Sequence, residues 1–161
     1  MPLDVVAEYY SREFPNDVTG QIFAELYLFT KTGDFGHLHE VLSKKEPYDS
    51  SSHMFLEVSK HFEEGAEKYG ENNWQKGLPV KCYINSAVRH YLKVLRGDTD
   101  EPHDRAFVWN IMCAIWTCVH KPELNGYGMK VCPVCGEQLP NEAVFCGNCY
   151  VTLEEPTKEN G

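Results

Sequence analysis

The chain has 161 residues, 42% hydrophobic and 24% charged, with a formal net charge of −9 and a pI near 5.2. That length supports one domain with a real core, and the composition excludes collagen, coiled coil and wholesale disorder. The acidic balance argues against non-specific duplex binding, which needs a basic face to displace counterions, so any anionic substrate must be met by local cations or by a metal.

The N-terminus, Met-Pro-Leu-Asp, lacks the basic and apolar regions of a signal peptide. The longest apolar stretch, Ala106 to Val119, is shorter than a membrane span and is interrupted by Asn110. A cytoplasmic protein with no membrane partner is expected. Residues 3–14 and 17–30 carry apolar residues at helical spacing (Val5, Val6, Tyr9, Tyr10, then Val18, Ile22, Leu26, Phe29) on either side of the breaker Pro15-Asn16. A third short helix runs from Asp34, as N-cap, through Leu38, Val41 and Leu42. The serine run Ser50–Ser52 closes that segment and opens a helix over 53–69, with Phe55, Val58, Phe62, Ala66 and Tyr69 on one face and Gly70 as its stop.

A loop over 71–79 leads to a helix over 83–95 with Ile84, Ala87, Val88, Tyr91, Leu92 and Leu95 inward and Gly97 as its stop. The segment 104–119 is apolar nearly all round and predicts the central, most buried helix. The expected fold is all-α: a helical bundle body with a small C-terminal zinc ribbon. Its parts are an N-terminal helical extension over 1–50, a main helical domain over 51–122, the ribbon over 127–154 and a flexible tail over 155–161.

The ribbon is read from Cys132-Pro-Val-Cys135 and Cys146-Gly-Asn-Cys149, two Cys-x-x-Cys pairs separated by ten residues. Each pair suits a tight turn that aims two thiolates at one ion, and four sulfurs complete a tetrahedron around zinc, with iron the alternative. A shell filled by protein leaves no site for water, so this zinc is structural. Lys130 is the only basic residue between Pro122 and Lys158, amid Glu137, Glu142, Glu154 and Glu155, which disfavours nucleic acid as a partner. Cys82, Cys113 and Cys118 are expected as small buried apolar residues.

The stretch Phe62-Glu63-Glu64-Gly65-Ala66-Glu67-Lys68-Tyr69-Gly70 carries the chemistry. At about 100° per residue, Glu63, Glu64 and Glu67 fall within one arc of about 100°. Such a cluster suits a hard divalent ion such as Mg²⁺, which takes carboxylates, waters and substrate phosphates. The plain alternative is a solvated face on which Glu64 pairs with Lys68. Further ligands follow: His90, then Asp98, Asp100, His103, Asp104 and Asn110, the last needing a partner inside an apolar helix.

These residues, with Asn73-Trp74, Lys76-Gly77, Arg89-His90, Leu95-Arg96-Gly97-Asp98 and Pro102-His103, resemble the phage-type dATP/dGTP diphosphohydrolase domain, similar in turn to all-α, MazG-like NTP pyrophosphatases. The resemblance covers roughly residues 55–120. It implies that dATP or dGTP is hydrolysed to dNMP and pyrophosphate with Mg²⁺, in the host cytoplasm if the protein is phage-encoded. Glu63, Glu64 and Glu67 match the superfamily's Glu-Glu-x-x-Glu motif. For its second motif, Glu-x-x-Asp, the region after Gly97 offers Asp98, Asp100, His103, Asp104 and Asn110, and of these His103, Asp104 and Asn110 stand as the other metal ligands.

Carboxylates holding magnesium can polarise the α-phosphate and activate water, and a glutamate not committed to the metal, such as Glu63, could take the proton. Lys68, Lys76, Arg89, Lys93 and Arg96 are candidates for phosphate oxygens, and His90 is a further substrate-binding candidate. Tyr69 and Trp74 either stack on a purine or pack, with packing favoured for Tyr69, and Asn73 either reads the base or caps the turn. A homo-oligomer is expected by analogy. The rivals are a non-catalytic adaptor binding proteins through the acidic body and the ribbon, and a sensor keeping a degenerate nucleotide pocket.

Overall fold

The computed structural model describes residues 3–45, 51–140 and 143–153. Ser50, Glu142, the side chain of Phe55 and the tail over 155–161, which figure in the expectations above, lie outside the described residues. Six helices are described: α1 (Leu3–Glu13), α2 (Val18–Thr32), α3 (Gly36–Lys44), α4 (Ser51–Tyr69), α5 (Val80–Arg96) and α6 (His103–His120). A short 3-10 turn, Asn73–Lys76, joins α4 to α5. The described residues form an all-α body followed by two short strands, as expected.

Local chemistry sets most of the boundaries. Asp17 caps α2 by accepting a hydrogen bond from the Thr19 amide at 2.9 Å. Asp34 Oδ1 accepts from the Gly36 amide at 2.9 Å, so the expected cap leads into α3 two residues later. Helix α5 begins three residues before the expected Tyr83, because Pro79 presents a pre-set φ of −49° and Val80 is fully buried. It ends at Gly97, whose φ of 85° is left-handed.

Helix α6 lies at the centre. Phe107, Ile111 and Ala114 on it pack in one core with Ile84, Ala87 and Val88 of α5, Phe23, Leu26 and Phe29 of α2, Leu38 and Val41 of α3, and Leu3 and Ala7 of α1. The first three helices therefore share the core that supports α4 to α6.

The structure corrects four readings. On α1 the inward stripe is Leu3, Val6, Ala7 and Tyr10, whereas Val5 and Tyr9 are exposed. Leu95, in the last turn of α5, is exposed because the helix end projects past the core. Tyr69 is 67% exposed, since α4 ends beside open space and not against another element. Cys113 and Cys118 are buried as expected, but Cys82 is exposed on the first turn of α5.

The chain leaves the body under tight control. Asn125 Nδ2 donates to the Gly33 carbonyl at 2.9 Å, and Tyr127 packs edge-on against Phe29 with centroids 5.1 Å apart. Gly128, at φ 70°, passes so close to α2 that a Cβ would lie 2.3 Å from the Thr32 carbonyl oxygen. Beyond it, β1 (Met129–Val131) pairs antiparallel with β2 (Gln138–Pro140), Lys130 opposite Leu139. A bridge between Phe145 and Thr152 follows, and Leu139 and Leu153 close a small core around Cys132 and Cys146.

Candidate active site

The C-terminal half of α4, the 3-10 turn and parts of α5 and α6 enclose an open groove of about 1080 Å³. Its apolar wall is a chain of aromatic contacts. Phe62 meets Trp74 at 5.2 Å between ring centroids and Trp109 at 5.9 Å, and Tyr83 meets Trp109 at 6.2 Å. Glu63, Glu64, Lys68 and Lys76 line the polar side. Gly65, which also lines the groove, faces open space, so the surface beside Glu64 is unobstructed.

Glu64 is not paired with Lys68. Arg105 Nη2, from the first turns of α6, donates to both Glu64 oxygens at 2.5 and 2.6 Å. Arg105 is buried whereas the Glu64 side chain is 61% exposed, so the guanidinium works from beneath as a fixed support. Three buried polar atoms in or beside this pair have no hydrogen-bond partner among the described residues: His61 Nδ1, Arg105 Nε and Trp109 Nε1. Buried donors and acceptors are rarely left so. His61 sits one turn before Glu64, Trp109 one turn after Arg105, and their rings approach to 5.1 Å. Burial holds His61 below its ordinary pKa, and the Arg105 charge adds to this, so its ring is neutral at pH 7.

The expected phosphate-binding residues separate into two groups. Lys68 and Lys76 line the groove and form no ion pair among the described residues. The others are engaged: Arg89 with Ser86 Oγ at 3.0 Å, Arg96 with Asp98, and Lys93 with Asp100 at 3.3 Å. Asn73 and Trp74 line the groove, and Trp74 is braced by Trp116 at 5.0 Å as well as by Phe62.

The expected metal ligands also part company. Glu63 lines the groove beside Glu64, and Glu67 lies exposed one turn on. Asn110 directs its amide nitrogen to the Ala106 carbonyl at 2.8 Å on its own helix. Asp104 forms an ion pair with Lys45 at 2.7 Å. His103 is buried against His90, with Nδ1 atoms 2.9 Å apart, while its Nε2 meets Asp100 Oδ1 at 2.7 Å. Burial lowers the pKa of His90, opposed by Glu101 and aided by His103. Asp100 is held down to about 2, chiefly by its hydrogen bond with His103.

Sequence spacing did not single out His61, Tyr83, Glu101, Arg105 or Trp109. Two signals were usable: Arg105 is an arginine inside an otherwise apolar helix, and such a charge must find a partner, while Glu101 forms a Glu-x-x-Asp spacing with Asp104. The others enter the groove through tertiary packing.

In the ribbon the four cysteine sulfurs lie within 4.8 Å of one another. Cys132 Sγ to Cys149 Sγ and Cys135 Sγ to Cys146 Sγ are each 3.6 Å. A tetrahedron with metal–sulfur bonds of about 2.3 Å has edges of about 3.8 Å, so the cluster has the dimensions of a tetrathiolate metal site.

The family model described as dATP/dGTP diphosphohydrolase, N-terminal, matches residues 39–126, more than half of the chain and all of the groove. The protein is a nucleoside triphosphate pyrophosphohydrolase. It belongs to the dATP/dGTP diphosphohydrolase family. No curated protein and no solved structure matches the chain.

Proposed function

We propose that the chain hydrolyses dATP or dGTP to the deoxynucleoside monophosphate and pyrophosphate, by attack of water on the α-phosphorus, with Mg²⁺ held by α4. The observation that carries this reading is the groove itself. It brings Glu63 and Glu64 together with aromatic side chains and with two lysines that form no ion pair among the described residues. Carboxylate oxygens free of competing cations suit a hard ion, and Glu63 and Glu67 have no ion-pair partner among the described residues. Glu63 and Glu67 would hold the magnesium, and Glu64 would add only the lone pairs that Arg105 leaves free. When bound, it neutralises phosphate charge and acidifies the attacking water.

The chain's own groups do the rest. Arg105 fixes the Glu64 carboxylate in one orientation. The Glu63 carboxylate oxygen that the metal leaves free accepts the proton of the water. Lys68 and Lys76 take the triphosphate oxygens as mobile point charges. Phe62, Trp74 and Trp109 form an apolar surface for the purine, and Asn73 offers an amide to its edge. Asp104 and Asn110 are already engaged and stay outside this reading.

The ribbon cysteines Cys132, Cys135, Cys146 and Cys149 would hold zinc as a structural clip, and the enzyme would act as a homo-oligomer in the cytoplasm. Incubating the protein with each dNTP and Mg²⁺ and resolving the products tests the activity. Pyrophosphate with dAMP or dGMP is expected, lost in Glu63→Gln. Orthophosphate alone, or no turnover of any dNTP, refutes it.

A further inference from the structure

We propose a second metal site, separate from the α4 carboxylates, in which His90, Glu101 and His103 bind one divalent transition-metal ion. His90 lies in the last turns of α5, His103 opens α6, and their Nδ1 atoms stand 2.9 Å apart. Glu101 Oε1, from the loop between the helices, is 3.4 Å from His103 Nδ1 and 3.7 Å from His90 Nδ1. Donors bound to one ion at about 2.1 Å stand about 3.0 Å apart at right angles and about 3.4 Å apart at tetrahedral angles. The observed triangle has nearly those edges, and a small rotation of the exposed Glu101 side chain completes it.

The protons are placed for the same purpose. Asp100 can only accept, so His103 Nε2 carries the proton in their 2.7 Å contact. In the tautomer with its proton on Nε2, His103 turns the Nδ1 lone pair toward His90. A histidine that gives its far N–H to a carboxylate is the usual support for a metal ligand, because the carboxylate fixes the tautomer and raises the ring's basicity. His90 becomes the second nitrogen donor by carrying its proton on Nε2.

Both imidazoles are buried, at 2% and 9% exposure, so little water competes for these nitrogens. Two nitrogens and one carboxylate oxygen select an ion of the Mn²⁺, Co²⁺ or Zn²⁺ class over Mg²⁺, which demands oxygen. Lys93 approaches Glu101 at 3.9 Å and Asp100 at 3.3 Å, so the ion replaces the lysine's hold on Glu101 while Asp100 keeps its contact. Glu101 also lines the groove, which sets this ion at the groove's edge. The site stands whether or not the α4 glutamates bind magnesium.

The test is a Co²⁺ titration of the full chain with its ribbon already loaded with zinc, followed by visible absorption. One equivalent is expected to bind with the d–d bands of nitrogen and oxygen ligands and without thiolate charge-transfer absorption. Asp100→Asn weakens binding by about 10–100-fold, and His103→Gln abolishes it. Glu101→Gln, at an exposed position that leaves the core untouched, weakens it at least tenfold, on the order of a lost second-shell partner or more. Glu63→Gln leaves it unchanged. No cobalt beyond the ribbon overturns the proposal, as does binding that survives in Glu101→Gln. Loss in Glu63→Gln with retention in Glu101→Gln assigns the ion to α4 and equally refutes it.

Discussion

Glu63 and Glu64 are neighbours in sequence with different tasks, and their substitutions should separate. Glu64 neutralises a buried guanidinium, so Glu64→Ala strands Arg105 and is expected to cost about 1–2 kcal/mol of stability along with activity. Glu63→Ala removes activity with little change in stability, and chemical denaturation of the two variants checks this. The cysteines divide as sharply. Burial pushes the Cys113 thiol up to about 12 and Cys118 up to about 11, so neither forms thiolate at pH 8, whereas Cys82 is exposed. Mass spectrometry after brief alkylation of the zinc-loaded protein should find Cys82 labelled and the other two unlabelled. Of the site, the glutamates, Lys68, Asn73, Trp74 and Lys76 were legible because they fall in one stretch of chain. Arg105, His61 and Trp109 were not, because only the packing of α4 on α6 brings them together.

Among the elements, the 3-10 turn is held at its end by α6 and the turn after it. Gly77 ends it at a φ of 77°, and a Cβ there would lie 2.9 Å from Leu124 Cδ1 and 3.0 Å from Lys121 Cδ. Lys121 Nζ also donates to the Lys76 carbonyl at 3.0 Å, so the turn is tied to the end of α6. Gly77→Ala is therefore expected to cost about 1–2 kcal/mol and to raise KM by displacing Lys76 and Trp74, read by denaturation and steady-state kinetics. Helix α6 has a different role, as the core's centre. Phe107→Ala should cost about 3–5 kcal/mol, since a fully buried ring is removed. Periodicity marked α6 and the inward faces of α2 and α5, where apolar residues at helical spacing meet packed neighbours. It misplaced the face of α1 and the end of α5, because an aromatic or leucine at the right spacing is buried only if another element lies there, and among the described residues none covers Tyr9 or Leu95.

The molecule as a whole has two cores, one in the helical body and one around Cys132 and Cys146, joined by the anchor at Asn125, Tyr127 and Gly128. Chelating the ribbon metal is expected to unfold residues after the anchor while far-ultraviolet circular dichroism of the helices persists. Loss of helical signal in step with metal would show one cooperative unit. The pH response belongs to the whole fold too. His61 and His90 have folded pKa values below the unfolded value of about 6.5, mainly through burial, so the unfolded state binds protons first as pH falls. Stability is therefore level above about pH 7 and declines below about pH 6.5. Melting scans should show this, with a shallower decline in His61→Gln. The ribbon was fully legible from its spacing, since four thiolates need little else, whereas the shared core of α1 to α3 with α4 to α6 could be seen only in three dimensions. The most direct test of the hydrolytic reading is turnover of dATP or dGTP in ¹⁸O-labelled water with Mg²⁺. Water attacking the α-phosphorus puts the label in the deoxynucleoside monophosphate and none in pyrophosphate; label in pyrophosphate or orthophosphate instead would contradict it.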